Sequence, residues 1–264
     1  MIPKIIHYCW FGGKEMPKSV TDCIDSWKKY MPDHKLMLWD ESNSPMDHTY
    51  VKFTYENKKW ANVSNYVRLF ALLQHGGWYF DTDVEVLATP NMDQYPETCF
   101  LGLESKPQDI KFMVNNAIIA TQANHPFIKG CYEAIQTFDG KEIASVTSPL
   151  LTTQQLMKIG FKGKPGVFDN VRVFPHDVFY PTAWYEKVTP SLFTKNTLCI
   201  HHCDASWLTA TDFSDEEFKL VCKEHGYYKN GYHRLVSGQM TWKEYLSLTF
   251  NFKKRKLMRL FGIK

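Results

Sequence analysis

The chain has 264 residues, of which 44% are hydrophobic and 15% aromatic, so it is long enough to bury one sizeable α/β core. Its net charge of +3 arises in residues 251–264, which hold six Lys or Arg and no acid; the remainder carries 25 basic and 28 acidic residues, which excludes a nucleic-acid-binding stripe on the body. No apolar run reaches the roughly 18 to 20 residues that span a bilayer, and seven scattered cysteines without a CxxC fit neither a zinc cage nor a disulfide framework.

The amino-terminal part of the chain predicts alternating strands and helices. Residues 2–10 form an apolar, β-branched run that ends at two glycines, which is typical of a buried strand entering a turn. A helix is predicted over 17–30 and a second strand over 35–40. Because the opening run lacks the basic, apolar and small-residue order of a secretory signal, we expect a cytoplasmic protein.

An amphipathic helix and an acidic triplet follow. Apolar residues recur at three- and four-residue spacing over 60–75, and the predicted helix stops at Gly76 and Gly77. A strand over 78–80 leads directly into Asp81-Thr82-Asp83, after which a strand pattern resumes over 84–87. The later pattern predicts strands over 99–103, 117–120, 171–174 and 197–202, and helices over 127–138 and 150–159. Without a repeat or linker, the prediction is one domain over 1–250 and a basic tail over 251–264.

The acidic triplet is the first candidate for chemistry. A turn after a strand can aim the carboxylates of Asp81 and Asp83 at one point, and hard ions such as Mg²⁺ or Mn²⁺ take one or two carboxylates together with substrate phosphates. A lone DxD is also common in solvated turns, so its context has to decide between the two interpretations.

The context resembles a known family. Residues 61–87 read ANVSNYVRLFALLQHGGWYFDTDVEVL, which is similar to the signature of the DxD sugar transferases called glycosyltransferase family 32 and of the clostridial glucosylating toxins. The matching positions are Ala61, Ser64, Arg68, Leu72, Gly76, Gly77, Tyr79, Asp81 and Asp83. The resemblance implies an α/β fold of the GT-A-like (Rossmann-like) type, with a mixed, mainly parallel sheet flanked by helices in a single domain.

The same resemblance implies roles for the helix and the triplet. Asp83 would bind a divalent ion directly, and Asp81 would bind it or bridge it to the ribose. Arg68 and Asn65 would orient the donor sugar, since residues three apart share one helix face, and Ser64 and Tyr79 would join the donor site. Asn65 departs from the usual aspartate, which puts donor affinity, donor choice or turnover in question.

Two further positions follow from resemblance in other segments. The opening strand with its W-x-G-G turn is similar to that of the family, and Trp10 would stack on the donor base; the alternative is a tryptophan that fills the core. Asn116 occupies a place where relatives have an Asn that contacts the sugar, a weaker inference.

The carboxyl-terminal part carries the remaining site predictions. Residues 200–207 read IHHCDASW, which resembles the His-rich strand end followed by S-W that is common in the family, and the resemblance implies that one of the two histidines is the third metal ligand. His201 is preferred and His202 is the alternative, because only one of two adjacent strand residues faces the site. Ser206 and Trp207 would close over the phosphates; the alternative is an ordinary loop with a buried tryptophan. The tail over 250–264 mixes six cations with apolar residues, so it can lie on an anionic membrane or remain a solvated terminus.

These observations predict a metal-dependent hexosyltransferase. It would use Mn²⁺ or Mg²⁺ to move a hexose, with retention, from a nucleotide diphosphate sugar such as a UDP-sugar to a saccharide or lipid-linked acceptor in surface polysaccharide synthesis. The alternatives are a non-catalytic sugar-nucleotide-binding protein, suggested by Asn65, and a DxD phosphatase. Such a phosphatase carries its motif near the first strand and needs a later acidic pair, whereas here the motif arrives at residue 81 and no Asp-Asp dipeptide follows.

Overall fold

The computed structural model describes residues 1–104, 113–139, 148–182 and 188–203. All of them lie in the first of two compact units, Met1–Trp207 and Leu208–Lys264. The predictions for Ser206, Trp207, the boundary at residue 250 and the basic tail therefore fall outside the described residues. Within these four ranges, no helix is long and apolar enough to cross a bilayer.

A seven-stranded mixed sheet and a separate two-stranded sheet organise this part of the chain. The strands are β1 (Ile5–Cys9), β2 (Lys35–Trp39), β3 (Gly77–Phe80), β4 (Val84–Val86), β5 (Cys99–Leu103), β6 (Val114–Thr121), β7 (Gly166–Phe168), β8 (Val171–Phe174) and β9 (Cys199–His201). The helices are α1 (Lys18–Tyr30), α2 (Thr49–Glu56), α3 (Trp60–His75), α4 (Pro126–Gln136), α5 (Ser148–Lys158) and α6 (His176–Phe179), with a short 3-10 helix at Pro190–Leu192.

The large sheet has the order β2-β1-β3-β6-β5-β8-β7, and β4 pairs with β9 alone. Strand β1 runs parallel to both β2 and β3, and β5 runs parallel to β8. The pairings of β3 with β6, β5 with β6 and β7 with β8 are antiparallel. The predicted mixed α/β sheet flanked by helices is confirmed. Helices α2 and α6, the 3-10 helix and strand β7 were not predicted, because segments of three to eight residues are too short to show a clear periodicity.

Two hydrophobic clusters cover the two faces of the sheet, and alternation along β3 connects them. Tyr79 belongs to the cluster that α2 to α5 help to form. Trp78 and Phe80 belong to the cluster that contains residues of α1 and α6. Strand β3 is therefore buried on both faces, which gives the residue that follows it a rigid support.

The turn from α3 into β3 depends on two glycines. Gly76 and Gly77 have φ angles of 63° and 97°, which favour glycine. A Cβ on Gly76 would lie 2.5 Å from the backbone nitrogen of Ala123, and one on Gly77 would lie 2.6 Å from the carbonyl oxygen of Ile5. The turn lets β3 start directly beside β1, which sets where its carboxyl end reaches.

His7 connects this turn to the neighbouring strands. Its buried imidazole donates from Nε2 to the carbonyl of Gly76 at 2.8 Å and accepts at Nδ1 from the indole N–H of Trp39 at 3.0 Å. Since the indole can only donate, Nδ1 has to stay unprotonated. Burial lowers the pKa of His7 to about 4.

Candidate metal and donor site

The DxD triplet forms the turn between the two sheets. The backbone N–H of Asp81 donates to Ala117 on β6 at 2.9 Å, and that of Val84 donates back to the Asp81 carbonyl at 3.0 Å. Val84 is in register with His201 on β9, and the N–H of His202 donates to the Asp83 carbonyl at 3.0 Å. The turn thus brings the end of a central strand close to a strand from much later in the chain.

Three side chains converge at this turn. Asp81, Asp83 and His201 each offer one ligand atom, and these atoms lie within 4.8 Å of one another. His201 Nε2 is 3.2 Å from an Asp83 carboxylate oxygen. Ligands held at right angles about an ion at roughly 2.1 Å are about 3 Å apart, so this spacing suits a shared divalent ion.

His202 occupies a different position. Its Nε2 is 3.0 Å from a carboxylate oxygen of Glu85, and both side chains are partly exposed to solvent. The structure therefore brings His201, rather than its neighbour, into the group with the two aspartates.

The carboxylate of Asp81 is held by two donors. An Arg68 terminal nitrogen and the Tyr79 hydroxyl each donate to Oδ1 at 2.8 Å. The Arg68 guanidinium also lies 4.5 Å above the centre of the Tyr79 ring. Burial raises the pKa of Asp81 above its ordinary value; Arg68 counteracts this effect and Asp83 adds to it. The arrangement fixes the orientation of the carboxylate.

Arg68 itself points into the protein. It is 3% exposed, and it donates to the backbone carbonyl of Asn116 at 2.6 Å and to the Asn116 side-chain oxygen at 3.0 Å. With a longer contact of 3.4 Å to the Ser64 carbonyl and the bond to Asp81, four of its five N–H groups have protein partners. The predicted contact of Arg68 with the donor sugar remains a prediction.

Asn116 is also buried. Its amide nitrogen donates to the hydroxyls of Ser148 and, at 3.1 Å, Thr152 on α5. The side chain predicted to touch the sugar therefore has its oxygen on Arg68 and its nitrogen on α5.

Ser64 and Asn65 lie on the partly exposed part of α3. The Ser64 hydroxyl donates to the Trp60 carbonyl at 3.1 Å and also hydrogen-bonds with the thiol of Cys9. Burial raises the pKa of Cys9 to about 12, so this thiol stays neutral. Asn65 hydrogen-bonds with the hydroxyl of Tyr50, an α2 residue that the sequence did not single out.

The turn with Trp10 is held by residues from other segments. The half-buried indole donates to the Lys14 carbonyl at 2.6 Å, and the N–H of Gly12 donates to Glu41 at 2.7 Å. The same Glu41 oxygen accepts from the Tyr55 hydroxyl at 3.0 Å. A Cβ on Gly12 would lie 2.9 Å from the Trp60 ring, so the glycine permits close packing. Sequence reasoning missed Glu41, because nothing in its spacing indicates this partner.

Cys203 contacts His201, and sequence reasoning assigned it no role in the site. Its Sγ lies 3.4 Å from Nδ1 of His201. Burial opposes protonation of His201, but Cys203 and Asp83 together raise the pKa of the imidazole well above its ordinary value. The adjacency of these residues in the sequence could have indicated the contact.

Comparison with known proteins connects this geometry to a family. Residues 17–101, which include the DxD turn, match the family described as glycosyltransferase sugar-binding region containing DXD motif. A search of curated protein sequences found no match.

Three solved structures are similar to the chain. The PaToxG glycosyltransferase has 19% identity over 60% of this chain and 69% of that chain, with a TM-score of 0.46. A glycosyltransferase involved in the glycosylation of the major capsid of PBCV-1 has 14% identity over 78% and 95%, with a TM-score of 0.43. The galactosyltransferase LgtC, in complex with donor and acceptor sugar analogs, has 12% identity over 83% and 95%, with a TM-score of 0.45.

Proposed function

We propose that this chain transfers a hexose from a nucleotide diphosphate sugar, with a UDP-sugar as the expected donor. The match of residues 17–101 to the glycosyltransferase sugar-binding region containing DXD motif supports the proposal. The proposal depends on one observation, the convergence of Asp81, Asp83 and His201 at the end of a central strand. Two carboxylates beside a diphosphate need a cation to offset the repulsion between them. The ligand atoms of the two aspartates and His201 could coordinate that cation.

We propose that Mn²⁺ is the preferred ion. Mg²⁺ favours oxygen ligands and gives up water reluctantly, whereas an imidazole suits transition metals better. His201 supplies that imidazole, and its Nε2 already faces Asp83 at 3.2 Å. When bound, the ion would neutralise the negative charge that grows on the departing diphosphate.

The residues of this chain would hold the donor at both ends. Trp10 has a partly exposed indole that can stack on the base, and the turn around it is fixed by Glu41 through Gly12. Asn65 keeps an acceptor for a sugar hydroxyl but carries no charge, so we expect it to weaken the grip on the sugar relative to an aspartate.

The remaining parts of the proposal come from the family resemblance and, for the lipid-linked acceptor and the membrane, from the composition of the basic tail over 250–264. We propose retention at the anomeric carbon, a saccharide or lipid-linked saccharide as acceptor, and a role in surface polysaccharide synthesis at the inner face of the membrane. Nuclear magnetic resonance of the first product from an α-linked donor tests retention, and a β-linked product would contradict it.

The central experiment is donor hydrolysis across a panel of nucleotide sugars, with Mn²⁺, with Mg²⁺ and with a chelator. We expect release of sugar from one donor with Mn²⁺ and none with the chelator. Asp25→Asn, which removes an exposed carboxylate paired with Lys28, serves as a matched control that should keep full activity. Sugar release that is indifferent to the chelator would contradict the proposal.

Asn65 gives the non-catalytic alternative a specific basis. If the chain binds a nucleotide with Mn²⁺ but releases no sugar from any donor, the binding function is favoured. In that case Asn65→Asp should restore hydrolysis, provided that the missing charge is the only defect.

A further inference from the structure

A chain of hydrogen bonds runs from the partly exposed DxD turn into the interior, to helix α5. It starts at Asp81, passes through Arg68 to the side chain of Asn116, and ends at the hydroxyls of Ser148 and Thr152. We call these five residues the Asp81 relay. The relay crosses from the end of β3 through α3 and β6 to α5, so it joins four elements of the fold.

The chemistry of the relay allows one orientation of the Asn116 amide. Arg68 can only donate, so the amide oxygen has to face it, and the amide nitrogen then has to donate to the two hydroxyls. Asn116 is 2% exposed and Thr152 is 1% exposed, so water cannot replace either partner without a rearrangement. The hydroxyls on α5 accept from the amide in the orientation that Arg68 imposes, and they hold it there.

We infer that Ser148 and Thr152 are positioning residues that set the metal-ligating carboxylate of Asp81 through Asn116 and Arg68. This inference depends on the proposed function, because it assumes that Asp81 ligates a divalent ion. With Oδ1 engaged by Arg68 and Tyr79, the carboxylate keeps one orientation, and Oδ2 remains for the ion.

Loss of the Ser148 or Thr152 hydroxyl would lower the affinity for the metal ion. Without an acceptor on α5, the amide nitrogen of Asn116 would be buried and unpaired, and the amide would turn or shift away from Arg68. Arg68 would then lose one of the contacts that hold it against Asp81. Removing an outer partner of a metal ligand typically lowers metal affinity about 10- to 100-fold. Because Thr152 acts through two intermediates, we expect a smaller loss of about 3- to 10-fold.

Helix α5 supplies a matched control. Thr153 is as deeply buried as Thr152, but its hydroxyl accepts from the backbone N–H of Val114 at 2.9 Å and does not reach the relay. Thr152→Val and Thr153→Val therefore make the same chemical change in the same helix. Thr152→Ser keeps the relay hydroxyl and loses only a methyl group.

The test is Mn²⁺ binding to the full chain in the presence of UDP, measured by electron paramagnetic resonance, with the thermal midpoint recorded for each variant. We expect Thr152→Val to weaken Mn²⁺ binding about 3- to 10-fold. Thr153→Val should leave it unchanged, whatever its midpoint, and Thr152→Ser should restore it. Ser148→Ala provides a second relay variant if Thr152→Val fails to fold, and should weaken binding similarly.

The outcomes distinguish the positioning role of Ser148 and Thr152 from the proposed metal-dependent function. Unchanged Mn²⁺ affinity in the relay variants, or an equal loss in Thr153→Val, would overturn the positioning role while leaving the metal site intact. If the unaltered chain binds no Mn²⁺ with UDP, the proposed function fails and the inference fails with it.

Discussion

The two aspartates of the DxD turn are supported in opposite ways. Asp81 follows β3 in the middle of the seven-stranded sheet, and two donors fix one of its oxygens. Asp83 precedes β4, whose only partner in the described part of the chain is the three-residue strand β9. The first carboxylate is supported by the large sheet and by two donors, whereas the second depends on the short pairing of β4 with β9.

The difference suggests a division of work between the two sides. The Asp81 side is oriented by Arg68 and Tyr79 before any ligand arrives. The other side brings Asp83 and His201 together through the register of β4 with β9. Changes on the Asp81 side should therefore cost more stability than changes on the other side, where Asp83 contacts His201 at 3.2 Å, and both should cost metal binding.

The largest effect should come from Asp83→Ala. Loss of a direct ligand removes charge stabilisation of the leaving diphosphate, so metal-dependent donor hydrolysis should fall about 10³-fold. The thermal midpoint should hardly change, because the carboxylate lies outside the large sheet. A midpoint loss as great as the one caused by a core substitution would contradict the proposed division.

Arg68→Met should show the opposite balance. It leaves the partly buried Asp81 carboxylate without its cationic partner and Asn116 without its donor. Breaking one side of a fully buried ion pair typically costs about 3–5 kcal/mol, and the partial exposure of Asp81 places the expected loss at about 3 kcal/mol, the lower end of that range. Urea unfolding, with Asp81→Asn and the double variant completing a mutant cycle, measures the coupling between the two side chains. Additive losses would show that the pair does not act as a unit.

A pH titration of stability isolates the framework beneath Asp81. The pKa of His7 falls from 6.5 to about 4 on folding. Between these two pH values the imidazole is protonated in the unfolded chain and neutral in the native chain. The free energy of unfolding is therefore highest, with respect to His7, above pH 6.5, and it decreases by about 3 kcal/mol in total as the pH falls to 4. His7→Gln should flatten this part of the urea-unfolding profile, whereas His176→Gln should not. Equal slopes for wild type and His7→Gln would refute the assignment.

His201→Asn should have the smallest of these effects. An amide oxygen replaces the imidazole nitrogen, so Mn²⁺ affinity should fall about 10-fold and the preference for Mn²⁺ over Mg²⁺ should shrink. His202→Asn, at the Glu85 pair, is the matched control and should retain the wild-type preference. A loss of Mn²⁺ preference in that control would instead indicate that His202 is the ligand.

Sequence patterns anticipated the elements that carry strong local signals. Helix α3 occupies the predicted residues 60–75, because its apolar periodicity is regular and two glycines end it. Strand β6 was predicted over 117–120 but spans Val114–Thr121. Asn115 and Asn116 interrupt the apolar pattern, yet the strand continues through them. The Asn115 side-chain oxygen accepts from the Ala117 N–H, and the Asn116 side chain pairs with Arg68 and Thr152.

Contacts between residues that are distant in the sequence could not be predicted from local patterns. The DxD carboxylates were predicted from their place after a strand, but nothing local indicates that Arg68 binds Asn116 or that Glu41 binds Gly12. Periodicity reports which side of an element is buried, whereas these contacts depend on how distant elements are arranged in the sheet. Family resemblance named His201, and only the register of β4 with β9 brings its ring to Asp83.

The pairing of β4 with β9 also affects how the protein matures. At about 5–20 residues per second, a ribosome adds His201 many seconds after Asp83. During that interval the nascent chain has Asp81 and Asp83 but not His201, and strand β4 still lacks its partner β9. Assembly of the three-residue group would thus be a late step of biogenesis that waits for the synthesis of β9.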